Sequence, residues 1–131
     1  MRHRAGIVLY CKETKEVLLI RRIRDGKEYY IVAGGGVEEG ETFEQTAYRE
    51  IQEELGVTVD NMRPLFARNC KDGSVEVYWL SYTDRLEIDG IQGEEKEIWS
   101  ENNQYYPEWI PVSRLNDILI YQEEIRNVKF E

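Results

Sequence analysis

The segment Gly35–Val57 constrains this chain most, because a glycine-rich run leads directly into a helical pattern that carries several glutamates. Thr42 and Gln45 fit a capping box, in which each side chain bonds the backbone N–H of the other residue. Gly56 stands where a glycine commonly ends a helix. The sequence therefore predicts a helix between Thr42 and Gly56.

The predicted helix has an apolar side and an acidic side. At about 100° per residue, three apolar residues cluster on one side and three glutamates lie on nearly the opposite side. The apolar residues are Tyr48, Ile51 and Leu55, and the glutamates are Glu50, Glu53 and Glu54. Carboxylates this close repel each other unless positive charge lies among them. We therefore expect a divalent cation on the acidic side, with a phosphate group beyond it.

Other elements follow from apolar runs and turn residues. Strands are predicted over Ala5–Cys11, Val17–Arg22, Tyr29–Val32 and Val75–Tyr82, and extended chain over Val57–Val59 and Met62–Arg68. Glu108–Val112 is either a last short strand or an extended lead-in to a helix. Further helices are predicted from Ser113 to Leu119 and over Gln122–Lys129. Three consecutive glycines, Gly34 to Gly36, predict a tight turn that a ligand can approach closely. Asp72-Gly73 predicts the turn of a hairpin.

The spacing of the acidic helix decides between two interpretations. Clustered helical glutamates are commonly a solvated surface, and glycine runs are commonly flexible loops. Here Gly35, five residues, Glu41 and seven residues precede the run Arg49-Glu50-Ile51-Gln52-Glu53-Glu54-Leu55-Gly56-Val57. This pattern resembles the Nudix box, G-x5-E-x7-R-E-U-x-E-E-x-G-U with U aliphatic, at every specified position. The complete match favours metal binding over a solvated surface.

The resemblance implies a fold and an activity. The fold, of the α+β or α/β class, is the Nudix α/β/α sandwich, a mixed β-sheet between helices, and we expect residues 1–131 to form a single domain. The activity is metal-dependent hydrolysis of the pyrophosphate of a nucleoside diphosphate linked to another moiety, which includes nucleoside triphosphates. The cofactor is Mg²⁺ or Mn²⁺, since carboxylates suit such ions and leave positions open for substrate.

The resemblance also implies roles for individual residues. Glu53 and Glu54 match the main metal ligands, and the backbone carbonyl of Gly34 can join them. Glu50 matches a position that acts as a ligand or as the general base, and the base lies outside the box in some members. Arg49 and Glu41 match residues that orient the carboxylates, so Glu50, Glu53 and Arg49 form the expected catalytic set.

Residues upstream of the helix are candidates for substrate binding. Arg21 and Arg22 end a predicted strand, where similar proteins contact substrate phosphate, and Gly35 and Gly36 let the backbone approach it. Adjacent strand residues point to opposite faces, so at most one arginine faces the site. The alternative for each arginine is a surface ion pair with an acidic neighbour.

The acidic loop over residues 88–101 is a further candidate. We expect one of its glutamates to join the site as a ligand or base, although each alone could be solvated loop charge. These glutamates are Glu94, Glu95, Glu97 and Glu101. Nearby aromatic residues could stack on a base or belong to the core. They are Trp99, Tyr105, Tyr106 and Trp109.

Composition excludes several function classes. Acidic residues outnumber basic ones by 26 to 17, which argues against a nucleic-acid polymer and leaves a small nucleotide-type diphosphate as the expected partner. No apolar run approaches the roughly 20 residues that span a membrane, so we expect a cytoplasmic protein. Cys11 and Cys70 lack metal-ligand spacing and are expected to be reduced thiols. His3, the single histidine, is expected at a mobile terminus without a catalytic role.

Two other functions stay open beside the hydrolase. One is a non-catalytic Nudix domain that senses a nucleotide or recruits a partner, and the other is a plain acidic cation-binding protein. Non-catalytic members usually lose box glutamates, whereas this chain has all of them, which favours the hydrolase. The sequence names neither the nucleotide substrate nor the oligomeric state, and a homodimer is compatible with it.

Overall fold

The computed structural model describes residues 2–88 and 99–131 of the chain. This part of the chain forms seven β-strands, one α-helix and two short 3₁₀ helices. The strands are β1 (Arg4–Cys11), β2 (Glu16–Arg24), β3 (Lys27–Ile31), β4 (Gly34–Gly36), β5 (Arg63–Asn69), β6 (Val75–Tyr82) and β7 (Asn103–Pro111). The α-helix is α1 (Phe43–Leu55), and the 3₁₀ helices are Val112–Arg114 and Glu123–Asn127.

The strands form one mixed sheet. Its order is β3-β2-β1-β6-β5, with β4 beside the start of β1 and β7 beside β2. Strands β1 and β6 are parallel, and the other pairings described between strands are antiparallel. The predicted mixed sheet is therefore confirmed, although β7 begins at Asn103, well before the predicted start at Glu108.

The helix α1 has the ends that the sequence predicts. The Thr42 hydroxyl accepts a hydrogen bond from the Gln45 backbone N–H, and the Thr42 backbone N–H donates the reciprocal bond of the capping box to the Gln45 side chain. Gly56 ends the helix in the left-handed conformation at φ 70°, which favours glycine. Ile51 and Leu55 are buried against the β1 side of the sheet. The capped ends fix which residues of α1 face the sheet.

The glycine run forms a strand rather than the predicted turn. Gly34 and Gly35 pair with Gly6 and Ala5 of β1. A Cβ atom on Gly34 would lie 2.3 Å from the Ala5 carbonyl oxygen, which leaves no room for a side chain there. Gly34 is therefore needed for close packing of β4 on β1, and the turn prediction was wrong because it considered only backbone flexibility.

The opposite face of the sheet is covered by the C-terminal segment. Tyr10, Tyr78, Ile120 and Ile125 belong to the buried cluster on this face. The helix predicted from Ser113 to Leu119 is absent, since the 3₁₀ helix there ends at Arg114. Instead, the backbone at residues 119–121 hydrogen-bonds to Tyr30 beside β3. The segment predicted as helix over Gln122–Lys129 contains only the 3₁₀ helix Glu123–Asn127.

None of the helices in the two described ranges is both long and apolar enough to cross a membrane.

Candidate active site

Arg49 is the centre of the acidic side of α1. Its guanidinium donates to both oxygens of Glu41, at 2.7 and 2.9 Å, and to Oε1 of Glu50 at 2.8 Å. It also donates to Oε2 of Glu53 at 3.1 Å and to the Gly36 carbonyl at 3.2 Å. One arginine thereby joins α1, the loop that precedes it and β4.

Glu41 is held as a carboxylate by this contact. The hydrogen bonds from Arg49, which outweigh burial, together with those from the Glu38 backbone N–H and the Thr46 hydroxyl, lower its pKa to about 2. In return, the bonds to Glu41 and then those to Glu50 raise the pKa of Arg49, although burial opposes its charge. The pair is fully ionised at neutral pH, which suits an orienting role.

Glu50 lies directly against the glycine strand. A Cβ atom on Gly35 would stand only 2.2 Å from the Glu50 carboxyl carbon. The missing side chain at Gly35 thus leaves the space that the Glu50 carboxylate fills, and Arg49 fixes that carboxylate from the other side. Only 13% of the Glu50 side chain is exposed. The carboxylate is therefore restrained before any ligand arrives.

The three glutamates of the predicted metal site lie in different surroundings. Glu50 and Glu53 converge on the same nitrogen of Arg49, and 55% of the Glu53 side chain is exposed. Glu54 is only 2% exposed, because its position on α1 turns it toward β1 and β4. The sequence grouped Glu54 with Glu50 and Glu53 on the side of α1 away from the core, and its burial shows that this placement was wrong for Glu54.

The buried carboxylate of Glu54 interacts electrostatically with Arg4. Burial opposes the charge of Arg4, yet the nearby Tyr78 hydroxyl, Glu54 and Glu76 raise the pKa of its guanidinium. Glu54 therefore has a cationic neighbour in β1.

The carboxylates of Glu50 and Glu53 are chemically suited to a divalent cation, and they lie close to each other. Carboxylate oxygens are the ligands that Mg²⁺ prefers. One oxygen of Glu50 and one of Glu53 approach the same guanidinium nitrogen of Arg49, beside β4. No three acidic, histidine or cysteine side chains are preassembled as a metal cluster within residues 2–88 and 99–131. The residues fit an ion held by Glu50 and Glu53, with Glu54 buried on the same helix.

Arg21 and Arg22 point to opposite faces of β2. Arg21 forms ion pairs with Glu108 and Glu28. These contacts agree with the alternative that the arginine forms a surface ion pair with an acidic neighbour. Arg22 lies on the α1 side, donates to Asn103 and to the Tyr105 hydroxyl at 2.8 Å, and lines a cavity of about 250 Å³. Of the two arginines, Arg22 is therefore the one that lines a cavity.

A buried polar cluster beside this cavity was missed by the sequence reasoning. The Tyr78 hydroxyl accepts from Arg4 at 3.1 Å and from Gln122 at 2.8 Å, and donates to Glu76 at 2.8 Å. Arg4, Glu76 and Gln122 also line the cavity. A signal existed in β6, whose alternation places Glu76 on the same buried side as Tyr78 and Leu80.

Other predicted residues lie elsewhere or outside the described part. Glu94, Glu95 and Glu97 fall outside the described residues, and Glu101 is exposed in a turn. His3 is not at a free end, since its Nδ1 accepts from the Val75 N–H and its ring contacts Phe43.

The cysteines and most of the aromatic residues named above are structural. Cys11 and Cys70 are free thiols, as predicted. Tyr105 is buried and Trp109 is partly buried in the core on the α1 side, whereas Trp99 is exposed. Tyr106 contacts the guanidinium of Arg21, on the face away from α1.

Known proteins share this fold. The MutT NUDIX hydrolase from Burkholderia pseudomallei superposes with a TM-score of 0.70 at 20% identity, over 98% of each chain. The likeness shows that the chain has the fold of that protein, a mixed β-sheet with an α-helix packed on one face. The family model described as NUDIX domain matches residues 1–129, and the chain belongs to the Nudix hydrolase family.

Curated relatives match shorter regions. The dihydroneopterin triphosphate diphosphatase of Escherichia coli K12 is 46% identical over 53 residues, which cover 40% of this chain and 35% of the relative. The RNA pyrophosphohydrolase of Haemophilus ducreyi is 37% identical over 81 residues, which cover 62% of this chain and 36% of the relative. The chain thus spans little more than a third of the length of either relative.

Proposed function

We propose that this protein uses a divalent cation, Mg²⁺ or Mn²⁺, to hydrolyse the pyrophosphate of a small nucleotide-type diphosphate. The observation that carries the proposal is the convergence of Glu50 and Glu53 on Arg49, directly beside the glycine strand. Carboxylates restrained at one place beside β4 supply the oxygen ligands that a divalent cation prefers.

The residues that would hold the ion are Glu50 and Glu53, and the resemblance adds Glu54 and the Gly34 carbonyl, although Glu54 lies buried near Arg4. When bound, a divalent cation neutralises charge on the phosphate oxygens and lowers the pKa of a bound water. Arg49 orients Glu50 and Glu53, and Glu41 keeps Arg49 in place. Glu50 would accept the proton of the attacking water, and Arg22 would add positive charge near the phosphates.

The names of two relatives, a dihydroneopterin triphosphate diphosphatase and an RNA pyrophosphohydrolase, support this class of reaction. The two names differ in substrate and therefore do not determine the substrate of this chain. The direct test is a panel of nucleoside triphosphates, dinucleoside polyphosphates, nucleotide sugars and 5′-triphosphorylated RNA, each with Mg²⁺, with Mn²⁺ and with chelator. Metal-dependent release of pyrophosphate, phosphate or mononucleotide is the expected result, and small substrates should be cleaved faster than the RNA.

Glu53→Gln tests the metal site itself. Glu53 is more than half exposed, so the exchange should leave the melting temperature within a few degrees while activity falls by about three orders of magnitude or more. Glu44→Gln is the matched control, because Glu44 is an exposed glutamate in the first turn of the same helix. Near-normal turnover of Glu53→Gln would reject the assignment.

One observation favours a second function, a Nudix domain that binds a nucleotide without cleaving it. Glu54 is buried apart from the other two glutamates, so the described residues contain no preassembled three-carboxylate cluster. This alternative predicts tight binding of a nucleotide, measured by calorimetry, with no cleavage in the presence of either metal.

A further inference from the structure

The cavity lined by Arg22 and Glu76 has walls suited to a flat ring. Tyr29 and Tyr121 line both this cavity, of about 250 Å³, and a neighbouring one of about 330 Å³. Together they reach the size of small-ligand pockets. Two aromatic side chains at the junction can stack on a heterocycle, which is favourable for any base.

Two residues of the cavity wall, Gln122 and Arg4, hydrogen-bond to the chain that leads into β4. The Val32 N–H donates to Gln122 at 3.0 Å, and the Val32 carbonyl accepts from Arg4 at 3.0 Å. Val32 lies two residues before Gly34, the first residue of β4. A ring held here would need its sugar or, in a pterin, its hydroxylated side chain to carry the phosphates along the chain from Val32 toward Gly35 and Glu50.

The polar wall of the cavity has a defined donor and acceptor pattern. Gln122 accepts from Val32 through its carbonyl, which fixes the amide orientation, and donates one N–H to Tyr78. Its second N–H has no partner among the described residues. Gln122 and the Arg4 guanidinium therefore supply donors, whereas the Glu76 carboxylate supplies only acceptors.

Glu76 has capacity for a ligand. It is 7% exposed, and its oxygens accept from the Tyr78 hydroxyl at 2.8 Å and from the Cys70 thiol, a weak donor, at 3.4 Å. Arg68 forms an ion pair with it at 3.7 Å, longer than a direct hydrogen bond. A carboxylate offers about four acceptor positions, so two neighbouring N–H groups can still bind it side by side.

We propose that this cavity recognises a 2-amino-4-oxopyrimidine ring, as found in guanine and in pterins. Such a ring places an N–H beside an amino group, which match Glu76, and a carbonyl oxygen, which matches Arg4 and Gln122. Adenine offers one amino group beside an acceptor nitrogen, which a carboxylate repels. This inference names the substrate class of the hydrolase proposed above and rests on that proposal only for the cleavage step.

The test compares ligands that differ by one amino group. Guanosine triphosphate, inosine triphosphate, adenosine triphosphate and dihydroneopterin triphosphate are supplied with Mg²⁺, and kcat/KM is measured. Inosine is guanosine without the 2-amino group. The guanosine or the pterin compound should be preferred over the inosine compound by about 10-fold or more, since a site built for a donor rejects the analogue without it.

Binding provides a readout that needs no cleavage. With chelator present, the Kd of guanosine monophosphate should be about 10-fold below that of inosine monophosphate. If no triphosphate is cleaved while this binding preference persists, the hydrolase proposal fails and the recognition proposal stands. If cleavage occurs at equal rates for guanosine and inosine compounds, or adenosine is preferred, the recognition proposal is overturned.

Glu76→Gln should bring the guanosine-to-inosine ratio close to one, in binding and in kcat/KM. Glu124→Gln is the matched control, because Glu76 and Glu124 both form ion pairs with Arg68, at 3.7 and 3.4 Å, while only Glu76 lines the cavity. The control should keep the wild-type ratio. An unchanged ratio in folded Glu76→Gln overturns the role of this carboxylate, and the ligand comparison in the wild type remains decisive if the variant does not fold.

Discussion

Arg49→Ala should lower the stability of the protein as well as its proposed hydrolase activity. The side chain is 23% exposed and is bonded to Glu41 and Glu50, whose side chains are 18% and 13% exposed. Hydrogen bonds to charged groups contribute about 1.5–3 kcal/mol each, but such bonds within one network do not add. We expect a loss of about 2–4 kcal/mol in the free energy of unfolding, measured by urea denaturation at pH 7.

The same variant has a predicted pH signature. The Glu41 pKa is lowered to about 2 from an ordinary value of 4.5, so its contribution is complete above pH 4.5 and is lost as the pH falls toward 2. Without Arg49 this loss should become much smaller, and the unfolding free energy should vary less between pH 4.5 and 2.

Arg24→Ala is the control for this experiment, since Arg24 is an exposed arginine at the end of β2. It should change stability by less than about 0.5 kcal/mol and keep the wild-type pH dependence. The reasoning would be refuted if Arg49→Ala were no less stable than Arg24→Ala, or if both variants retained the acid-dependent loss of the wild type.

Two further substitutions test the local geometry of the site. Gly35→Ala places a methyl group 2.2 Å from the Glu50 carboxyl carbon, so kcat/KM should fall about 100-fold, with little further loss when it is combined with Glu50→Gln. Additive losses in the double variant would show that Gly35 acts independently of Glu50. Thr42→Ala removes the acceptor for the Gln45 N–H and should cost about 1 kcal/mol in thermal unfolding, against little change for Thr58→Ala in an exposed loop. Equal stability of these two threonine variants would contradict the role of the cap.

The sequence predicted the helix α1 and the strand β6 well because their signals are local. A capping box and a terminal glycine determine the ends of α1 within its own residues. Alternating burial along Val75–Tyr82 likewise needs no distant contact. The arrangement around Arg49 follows from the same short segment, since Glu50 and Glu53 lie within one turn of it.

The C-terminal segment could not be predicted in this way. Ile118 and Ile120 alternate along a chain that hydrogen-bonds to Tyr30, and Ile120 is buried on the sheet. That pairing joins residues about 90 positions apart in the sequence, and spacing alone does not reveal it.

The polar cavity depended on contacts of the same kind. Arg4 meets Tyr78 across 74 positions, and Gln122 meets Val32 across 90. Only Glu76 could be recognised from the local sequence, because it is a charged residue on the buried side of a strand. A carboxylate at such a position is unusual enough to justify a search for its partners.

Because both ends of α1 are capped, adding or removing a residue within this segment should disturb the site. One codon added between Thr42 and Glu50 would rotate every later side chain by about 100° around the helix axis. Glu50 would then leave Gly35, and Arg49 would lose Glu41, although composition and charge would hardly differ. Insertions and deletions here should be far less tolerated than substitutions at exposed positions such as Glu44 or Gln52.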